Sequence, residues 1–562
     1  MAREPNIVIT GFMGTGKSSV AREVAHALGR PFVDMDERIE ARAGMGIPDI
    51  FRQQGEAAFR ALERVVCAEL AAMGGLVVAT GGGALVDEEN LRVMMASGHV
   101  ICLGCDPDEL FHRVALSIPQ DAPGHESAVG ERGRDARAPE TDAPQGRPML
   151  WADDPEGRLR ELLEKRRPAY AKVPYHIDTT YRSVDQVVEE VLNLVAGNPT
   201  HWQVSTPTGS YPVQLVPGGV AHLGALLRAH GIAGNPVMVS DENVWALHGD
   251  ALEAGLRASG YAPHAIVLPA GEAFKNLDTV RTLYDRFVDV GLDRGSAVVA
   301  VGGGVITDMA GFAAATFMRG VPLVPVPTTF LGMIDASVGG KVAVDHPAGK
   351  NLVGAFVQPL LVLLDPDLLL TLPDIERRAG LAEVIKAGII ADPELFAALE
   401  AGADSPRADD WRWQVERALQ VKIDVVKEDP YEQGRRMVLN LGHTFAHAFE
   451  VLSDYSLNHG LAVSIGMAAA AHLAEIRGMC RPETVTRIVA TLEAHRLPTR
   501  YDAAAPADVY AAMGSDKKRR GGRLRLILPR DIGDVVIDAD VHPAEVLQAL
   551  ERIRTSGTTQ DT

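Results

Sequence analysis

Cysteine is scarce in this sequence, with four residues in a chain of 562. So few cysteines argue against a disulfide framework and favour a reducing compartment, so we expect a cytoplasmic protein. Cys102 and Cys105 have the C-x-x-C spacing of some metal and redox sites, but no second pair completes such a site. We interpret them as ordinary buried or loop cysteines.

Long apolar runs and an excess of positive charge are also missing. No run reaches the length of a membrane span, and the first residues lack the architecture of a signal peptide. Lys and Arg number 55 against 74 Asp and Glu, a net charge of −19. This balance disfavours a nucleic-acid partner and a polybasic membrane anchor. Anionic ligands must therefore be held by local clusters of Lys and Arg.

The length and the pattern of the chain predict several domains. A chain of 562 residues is too long for one hydrophobic core, and 46% hydrophobic with 23% charged residues is ordinary for globular protein. Strand and helix patterns alternate as far as about Thr371, which predicts α/β folds. Turn formers follow Asn198, and long helical patterns follow Thr371. We therefore predict α/β domains over 1–197 and 198–370 and an all-α domain over 371–562.

A glycine-rich loop stands between the first predicted strand and the first predicted helix. The apolar run Asn6–Thr10 leads into GFMGTGKS, which matches G-x-x-x-x-G-K-S, and then into an amphipathic pattern. This is the context that a phosphate-binding loop requires, so a chance glycine-rich turn is the weaker interpretation. In such a loop backbone amides cradle phosphates, Lys17 neutralises the outer ones and Ser18 can hold Mg²⁺. The residues predicted to bind a nucleotide are Gly14, Thr15, Gly16, Lys17, Ser18 and Ser19.

Three further blocks of the first domain carry polar residues. The stretch PFVDMD predicts a strand with Asp34 and Asp36 on one face, where paired carboxylates can hold a metal or a hydroxylated substrate. The helical stretch FRQQGEAAFRALERVV places Arg60 beside Glu63, although a lone Arg there is more typical of a surface ion pair. The strand LVVAT then runs into the triplet Gly81–Gly83.

Together with the loop, the blocks FVDMD, FRALE, ATGGGA and KRRPAY resemble the shikimate kinase family. The resemblance implies a P-loop kinase with a parallel sheet that uses ATP with Mg²⁺. It implies catalytic roles for Lys17, Asp34 and Arg147, with Asp34 near Mg²⁺ and the reacting hydroxyl and Arg147 approaching ATP from a lid. It further implies that shikimate is held by Asp36, Arg60, Gly82 and Arg166.

One segment departs from that family. Where the family has a short lid, this chain has a longer stretch over residues 114–146, rich in Pro, Gly, Ala and charge. The composition predicts disorder, and the sequence does not reveal the role of the segment. A longer tether still allows a lid to close, because the entropy of loop closure grows slowly with length.

A second glycine triplet carries the other site. The buried-strand pattern SAVVAV runs into Gly302–Gly304 and a helix, so bare backbone and helix-start amides can face a phosphate. A further strand ends at Thr328 and Thr329. Four polar residues follow among glycines, and they are Asp335, Lys341, Lys350 and Asn351. This segment predicts a site for a dinucleotide beside an anionic substrate, although the G-x-G-x-x-G fingerprint is absent.

Histidines and a glutamate in the helical region have the spacing of a metal site. Glu383 precedes Lys386 by three residues, and His443 and His447 lie one turn apart on a predicted helix. His459 follows. Any one of these histidines alone is more typical of a core or capping residue. One glutamate and two histidines, beside Arg436 and Asn440, predict an open site of the kind that holds catalytic zinc.

The blocks PAGEAFKN, GGGVITDMAGF, PTTFLGMIDASVGGKVAVDHPAGKN, GLAEVIKAGII, LNLGHTFAHAFE and NHG occur in order and resemble the 3-dehydroquinate synthase family. The resemblance runs from about Val213 to about Leu528. It implies a Rossmann-like NAD-binding domain followed by a metal-binding domain. One departure is Leu461, which stands where the family often has a glutamate near a ligand. Loss of that carboxylate can shift the metal affinity, but it removes no ligand.

This resemblance implies roles for individual residues. It implies that Glu383, His443 and His459 bind the metal, Zn²⁺ or Co²⁺. His447 is left for proton transfer or orientation, and Lys341 and Lys386 are implied to be catalytic. The residues implied to contact NAD are Asp241, Glu272, Lys275, Gly303, Gly304, Asp308, Thr328, Thr329, Asp335, Lys341 and Lys350. The residues implied to hold substrate are Arg319, Asn351, Lys386, Arg436, Asn440 and either Lys517 or Lys518. Arg319 resembles a residue donated across a dimer interface, so a homodimer is implied.

The two resemblances together imply a bifunctional enzyme. It would phosphorylate shikimate with ATP and would convert 3-deoxy-D-arabino-heptulosonate 7-phosphate to 3-dehydroquinate and phosphate. These steps are not consecutive in the shikimate pathway, so we expect no channelling. The alternatives are a kinase half that serves only as an interaction module, or a second half that is a related sugar-phosphate cyclase or a metal-dependent polyol dehydrogenase.

Overall fold

The computed structural model divides the chain into two compact units. It describes residues 4–116, 155–197, 199–207, 209–402, 405, 407, 410–432, 434–517, 524–538 and 540–555. The first unit comprises Met1–Pro199 with His222–Ile232 and Gly255–Gly260, and the second comprises the remainder. The domain boundaries drawn from the sequence stay predictions.

The first unit contains a five-stranded parallel sheet. Its strands are β1 (Asn6–Gly11), β2 (Phe32–Asp34), β3 (Val77–Ala79), β4 (Gly98–Gly104) and β5 (Tyr175–Asp178), in the order β2-β3-β1-β4-β5. Its helices are α1 (Lys17–Leu28), α2 (Met35–Ala43), α3 (Ile47–Ala72), α4 (Glu88–Ser97), α5 (Pro107–Leu116), α6 (Pro155–Tyr170), α7 (Val184–Ala196) and α8 (Leu223–Ala229). β1 is the central strand of this sheet, and every one of its residues is buried. The loop that follows β1 therefore lies at the centre of the sheet's carboxyl edge.

One expectation about this sheet is wrong. The stretch PFVDMD forms a strand only as far as Asp34, and Asp36 lies in the first turn of α2. The carboxylate of Asp34 accepts a hydrogen bond from the backbone N–H of Asp36, 3.0 Å away, and so caps the helix. Because aspartate is a strong N-cap residue, the chain turns into a helix there instead of continuing the strand.

The α/β part of the second unit contains two sheets and a hairpin. Its strands are β6 (Thr200–Thr206), β7 (Gly209–Leu215), β8 (Val237–Asp241), β9 (His264–Leu268), β10 (Val298–Gly302), β11 (Leu323–Pro327), β12 (Lys341–His346), β13 (Gly349–Phe356) and β14 (Val362–Leu364). A parallel sheet has the order β11-β10-β8-β9, a mixed sheet the order β14-β7-β6, and β12 pairs with β13 as a hairpin. The helices here are α9 (Glu242–Arg257), α10 (Leu277–Asp289) and α11 (Gly304–Thr316), and α11 starts immediately after β10, as predicted.

The rest of the second unit is helical apart from one hairpin. Its helices are α12 (Asp374–Ala391), α13 (Pro393–Glu400), α14 (Trp411–Glu428), α15 (His443–Leu452), α16 (His459–Ile476), α17 (Pro482–Ala494), α18 (Pro506–Lys517) and α19 (Pro543–Arg552). The hairpin joins β15 (Leu526–Asp531) to β16 (Asp534–Asp538), so this region is not all-α. The fold class, with a parallel-sheet first part and a helical last part, is confirmed.

Helix α16 lies at the centre of the helical region. It packs against α12, α15, α17 and α19, and thirteen of its 18 residues are buried. By length and composition alone it could cross a membrane, but 72% of it is covered inside the protein. Its apolar character therefore matches the core helix of a globular unit.

Candidate active sites

The loop after β1 is shaped to receive phosphate groups. Gly14 and Gly16 have left-handed backbone, with φ of 85° and 88°, and no side chain caps the start of α1. The amides of the first helical turn are therefore available to an anion. A Cβ atom at Gly14 would lie 2.8 Å from Val114 Cγ2, so α5 packs too closely for any side chain there. Lys17 follows the loop at once, and its Nζ donates to the carbonyl oxygen of Phe12 at 2.9 Å.

Ser18 and Asp34 form a pair of oxygen ligands beside this loop. The hydroxyl of Ser18 donates to Asp34 Oδ2 at 2.8 Å, while Asp34 Oδ1 caps α2. The cap fixes the carboxylate, which leaves Oδ2 facing the phosphate loop. Paired oxygens at the edge of a phosphate site suit Mg²⁺.

Charged side chains surround the triplet Gly81–Gly83. A Cβ atom at Gly81 would lie 2.6 Å from Asp36 Oδ1, and one at Gly83 would lie 3.5 Å from guanidinium nitrogens of both Arg60 and Arg166. Arg166 donates to the carbonyl oxygen of Gly82 at 2.8 Å. The glycines leave open a space with two guanidinium groups and one carboxylate, which suits a substrate that carries a carboxylate and hydroxyls.

Two other features of this pocket are electrostatic. Arg60 Nη1 donates to Glu63 Oε2 at 2.8 Å, and the Glu63 side chain is 2% exposed, so this partner of Arg60 is buried. A second ion pair of Arg60, with Glu56, is exposed. Burial and the neighbouring charge of Asp34 raise the pKa of Asp36 to about 6, although Lys17 opposes the shift. Arg147 lies outside the described residues, as does most of the segment 114–146.

Helix α11 begins within the second glycine triplet, at Gly304. No side chain caps this helix, and a Cβ atom at Gly303 would lie 3.0 Å from Thr329 Cγ2. The hydroxyl of Thr328 is buried there without a hydrogen-bond partner. A helix start with free amides beside an unsatisfied buried hydroxyl fits the pyrophosphate of a dinucleotide.

Three of the other residues implied to contact NAD lie at or after the carboxyl ends of strands. Asp241 is the last residue of β8, and Glu272 and Lys275 follow β9. Lys275 Nζ is 2.7 Å from both Asp308 Oδ2 and Asn351 Oδ1. Asp241 caps α9 through two backbone N–H groups at 3.0 Å. Glu272 lies 3.6 Å from Lys350 Nζ. Lys275 thus joins residues from three separate blocks of the sequence.

Glu383, His443 and His459 come together as the spacing predicts. One ligand atom from each lies within 4.8 Å of the other two, with Glu383 Oε1 3.7 Å from His443 Nε2 and 4.0 Å from His459 Nε2. Glu383 is on α12, and the histidines are the first residues of α15 and α16. Oε1 of Glu383 is buried without a hydrogen bond, while Oε2 pairs with Lys386 Nζ. A donor set of one carboxylate and two imidazoles with an unsatisfied buried oxygen fits Zn²⁺ or Co²⁺.

The ring nitrogens of these histidines are oriented by their neighbours. His443 Nδ1 donates to the carbonyl oxygen of Leu441 at 3.2 Å, so its Nε2 faces the cluster. Burial and the charge of Lys386 lower the pKa of His443 well below its usual value, which favours the neutral imidazole that binds metals. The ring of His447 lies 5.8 Å from that of His443 and outside the three-ligand group.

Other charged residues predicted for the second site are paired with charged or polar groups. Lys341 pairs with Glu432, and Asn440 Nδ2 donates to Glu432 Oε1 at 2.7 Å. The Arg436 guanidinium bonds the carbonyl oxygen of Gly339 at 3.3 Å. Although burial opposes the shift, Lys422 and Lys386 hold the pKa of Asp335 well below its usual range. Lys422 is paired directly with Asp335.

Three residues of this site escaped the sequence analysis, and they are Lys422, Glu432 and Glu450. Glu450 follows His447 by three residues on the same helix, a spacing that could have indicated it. Lys422 and Glu432 have no spacing relation to the predicted residues. Although burial opposes the shift, a hydrogen bond from His459 and the charge of Lys350 lower the pKa of Glu450 to about 2.

The remaining predicted residues do not all join the site. Arg319 lies on an exposed turn after α11, and no hydrogen bond or ion pair links its side chain to the other described residues of the site. Lys518 and the side chain of Lys517 lie outside the described residues. All four cysteines are unpaired, and burial raises the pKa of the Cys102 thiol to about 12.

Comparison with known proteins gives matches in both units. Sequence models described as 3-dehydroquinate synthase N-terminal and C-terminal match residues 265–379 and 380–519, and one described as shikimate kinase matches residues 13–123. A 3-dehydroquinate synthase from Synechocystis is 43% identical over 62% of this chain and 98% of its own length. A solved 2-epi-5-epi-valiolone synthase from Streptomyces hygroscopicus, with NAD⁺ and Zn²⁺ bound, is 33% identical over 63% of this chain and 99% of its own, with a TM-score of 0.58.

For the first unit, a solved shikimate kinase from Acinetobacter baumannii in complex with shikimate is 34% identical over 35% of this chain and 94% of its own, with a TM-score of 0.29. The phosphate loop and the glycine-triplet pocket define a phosphotransferase domain, and the second unit combines an uncapped helix start after glycines with a group of residues that fits a divalent metal ion. The chain belongs to the 3-dehydroquinate synthase family, and a shikimate kinase domain is fused before it. The prediction of a fusion of these two domains is confirmed.

Proposed function

We propose that the first unit transfers the γ-phosphate of ATP to shikimate. The observation that carries this proposal is the convergence of Asp36, Arg60 and Arg166 on one glycine triplet. Arg60 and Arg166 pair with the substrate carboxylate, and Asp36 accepts hydrogen bonds from ring hydroxyls. Lys17 and the amides of the loop hold the phosphates, and Ser18 and Asp34 hold Mg²⁺. Arg147 approaches ATP from the lid, as the resemblance to the family implies.

We propose that the second unit converts 3-deoxy-D-arabino-heptulosonate 7-phosphate to 3-dehydroquinate and phosphate. The cluster of Glu383, His443 and His459, in the same unit as the uncapped start of α11, carries this proposal. When bound there, NAD and the divalent ion would supply a reversible oxidation of a ring alcohol and favour its deprotonation. Lys341, Lys386 and Arg436 bind the anionic groups of the substrate, and His447 holds a proton near the reacting carbon.

A direct test of the second unit is phosphate release from the heptulosonate phosphate. We expect release that requires NAD⁺ and is stopped by a zinc-selective chelator in excess Mg²⁺. His443→Ala should lower turnover by at least about a hundredfold, because it removes one of three metal ligands. Stoichiometric formation of NADH without phosphate release would instead indicate a polyol dehydrogenase. Unchanged turnover in the variant would remove the metal assignment.

For the first unit, the test is formation of ADP that depends on shikimate. Lys17→Met should abolish turnover while shikimate binding, measured by calorimetry, stays near the native value. Shikimate binding by the native protein without any ATP turnover would support the interaction-module alternative. The native protein should also show no turnover with the heptulosonate phosphate in this assay.

We further propose a cytoplasmic homodimer in which Arg319 reaches the partner's substrate phosphate. Arg319 and Met318 both have left-handed backbone, with φ of 66° and 50°, and Arg294 donates to the Met318 carbonyl at 2.7 Å. A left-handed backbone conformation costs free energy in residues other than glycine, so its presence at an exposed arginine supports a functional constraint on the turn. Mixing inactive Arg319→Ala and His443→Ala proteins should restore phosphate release, because a mixed dimer rebuilds one complete site. No restoration, or a monomer by light scattering, would reject the dimer proposal.

A further inference from the structure

Glu450 is a buried carboxylate that joins two parts of the second unit's site. It lies on α15, and its side chain is 4% exposed. Its two oxygens have different partners: Oε2 is 3.4 Å from His459 Nδ1, and Oε1 is 3.2 Å from Lys350 Nζ. Burying a carboxylate costs free energy unless the group is paired, and these two contacts offset that cost.

The contact with His459 decides which ring nitrogen is free. A carboxylate accepts hydrogen bonds, so the proton of a neutral His459 lies on Nδ1 in this arrangement. The lone pair is then on Nε2, the atom that lies 4.0 Å from Glu383 Oε1. Carboxylates that hold a metal-binding histidine in this way fix its tautomer and its ring orientation.

The contact with Lys350 anchors the other side of the site. Lys350 is on β13, its side chain is 30% exposed, and its Nζ also lies 3.6 Å from Glu272. The ammonium group sits over the ring of Tyr455, 4.6 Å from the ring centroid. The backbone carbonyl of Glu450 accepts from Tyr455 N–H at 2.8 Å. Glu450 therefore contacts Lys350 directly and also holds the tyrosine that packs against it.

We propose that Glu450 is a positioning residue that holds His459 in its metal-binding tautomer and anchors Lys350 at the cofactor side. This inference rests on the proposed synthase function of the second unit. It makes Glu450 a link between the α12–α15–α16 ligand group and the β12–β13 hairpin. Glu450 acts through these two side chains.

The test uses metal binding by the full chain after its metal has been removed. Co²⁺ is titrated into native protein and into Glu450→Gln, and its visible absorption reports both affinity and ligand geometry. We expect the dissociation constant for Co²⁺ to rise about 10- to 100-fold in the variant, as for other residues that orient metal ligands, with an altered spectrum. Glu450→Asp, which keeps the charge, should recover part of the affinity.

Glu475→Gln is the matched control. Glu475 lies on α16, as His459 does, but near the other end of that helix. It is 3.8 Å from a histidine, His472, and is paired with Arg552. Its substitution should leave the Co²⁺ affinity and spectrum unchanged. Melting curves of both variants report whether the fold is retained. A native affinity and spectrum in a folded Glu450→Gln protein would overturn the His459 part of the proposal.

The Lys350 part has its own measurement. NAD⁺ affinity is measured by calorimetry in metal-free protein, and we expect a loss of about two- to fivefold in Glu450→Gln, the size of a partly exposed ion pair. An unchanged NAD⁺ affinity would overturn that part alone. If the native protein binds Co²⁺ at this group but releases no phosphate from its substrate, the proposed function fails while the positioning role of Glu450 still stands or falls on the titrations.

Discussion

At the scale of single residues, surroundings rather than residue type decide what each carboxylate does. Asp34 and Asp36 are two residues apart, yet Asp34 accepts from Ser18 and caps a helix while Asp36 lies beside the Gly81–Gly83 triplet. Burial raises the pKa of Asp36 to about 6. Its ability to accept hydrogen bonds as an anion is therefore sensitive to pH near neutrality.

Shikimate binding should weaken as the pH falls through about 6. Below the pKa of Asp36, which burial raises to about 6, the carboxyl group is protonated and one oxygen no longer accepts as an anion. We expect the KM for shikimate to rise about tenfold per pH unit below that point, as for loss of one required ionised group. The measurement is KM between pH 5 and 8. Asp36→Asn should have a high KM that is flat over this range, and a native pH profile in that variant would contradict the assignment.

The same residue-scale logic limited what the sequence could predict. Glu383, His443 and His459 were predictable because metal chemistry restricts the residue types and helix spacing restricts their positions. Lys422 and Glu432 reach the site only through tertiary packing, and a Lys or Glu on a helix or loop is usually solvated. The sequence predicts Asp36 in the same strand as Asp34, but it lies in the first turn of α2. An aspartate that caps a helix and an aspartate on one face of a strand give the same two-residue spacing.

At the scale of elements, close packing of helices brings Glu383 and His459 together. Gly460 follows His459 at the start of α16, and a Cβ atom there would lie 2.0 Å from the carbonyl oxygen of Ala379 on α12. Ala379 is one turn before Glu383 on that helix. The missing side chain therefore lets the two ligand-bearing helices approach each other.

Gly460→Ala should destabilise the second unit and weaken its metal binding together. The added methyl group overlaps backbone rather than a movable side chain, and such overpacking costs about 1–3 kcal/mol. We expect a lower melting temperature and a higher Co²⁺ dissociation constant. Gly514→Ala is the control, since a Cβ atom at that glycine of α18 meets nothing within 4 Å. It should be neutral or stabilising, by up to about 1 kcal/mol. Native metal affinity in Gly460→Ala would show that the close approach is dispensable.

At the scale of the whole molecule, the chain carries two sites built on the same physical device. Both α1 and α11 begin after glycines with no side-chain cap, so each offers free amides to a phosphate. The alternation of strands and helices made this predictable, since glycines between a buried strand and a helix have few other uses. The β15–β16 hairpin does not fit the all-α prediction for residues 371–562, because one short hairpin changes the helical pattern of so long a region very little.

We expect the two activities to be separable. Lys17→Met should leave phosphate release from the heptulosonate phosphate within about twofold of native, and His443→Ala should do the same for phosphorylation of shikimate, because additivity holds for sites without shared partners. Steady-state rates of both reactions in each variant provide the measurement. A drop in the untouched activity beyond about fivefold would reveal coupling between the sites.

The helix α16 forms the hydrophobic centre of the helical region, and its first residue, His459, belongs to the group that fits a metal ion. An ion that binds the folded protein but not the unfolded chain adds its binding free energy to folding. Scarcity of zinc or cobalt would then act on the abundance of the protein as well as on its rate. A larger unfolded fraction would then be exposed to proteases, and the loss would include the shikimate kinase domain, because it is part of the same polypeptide.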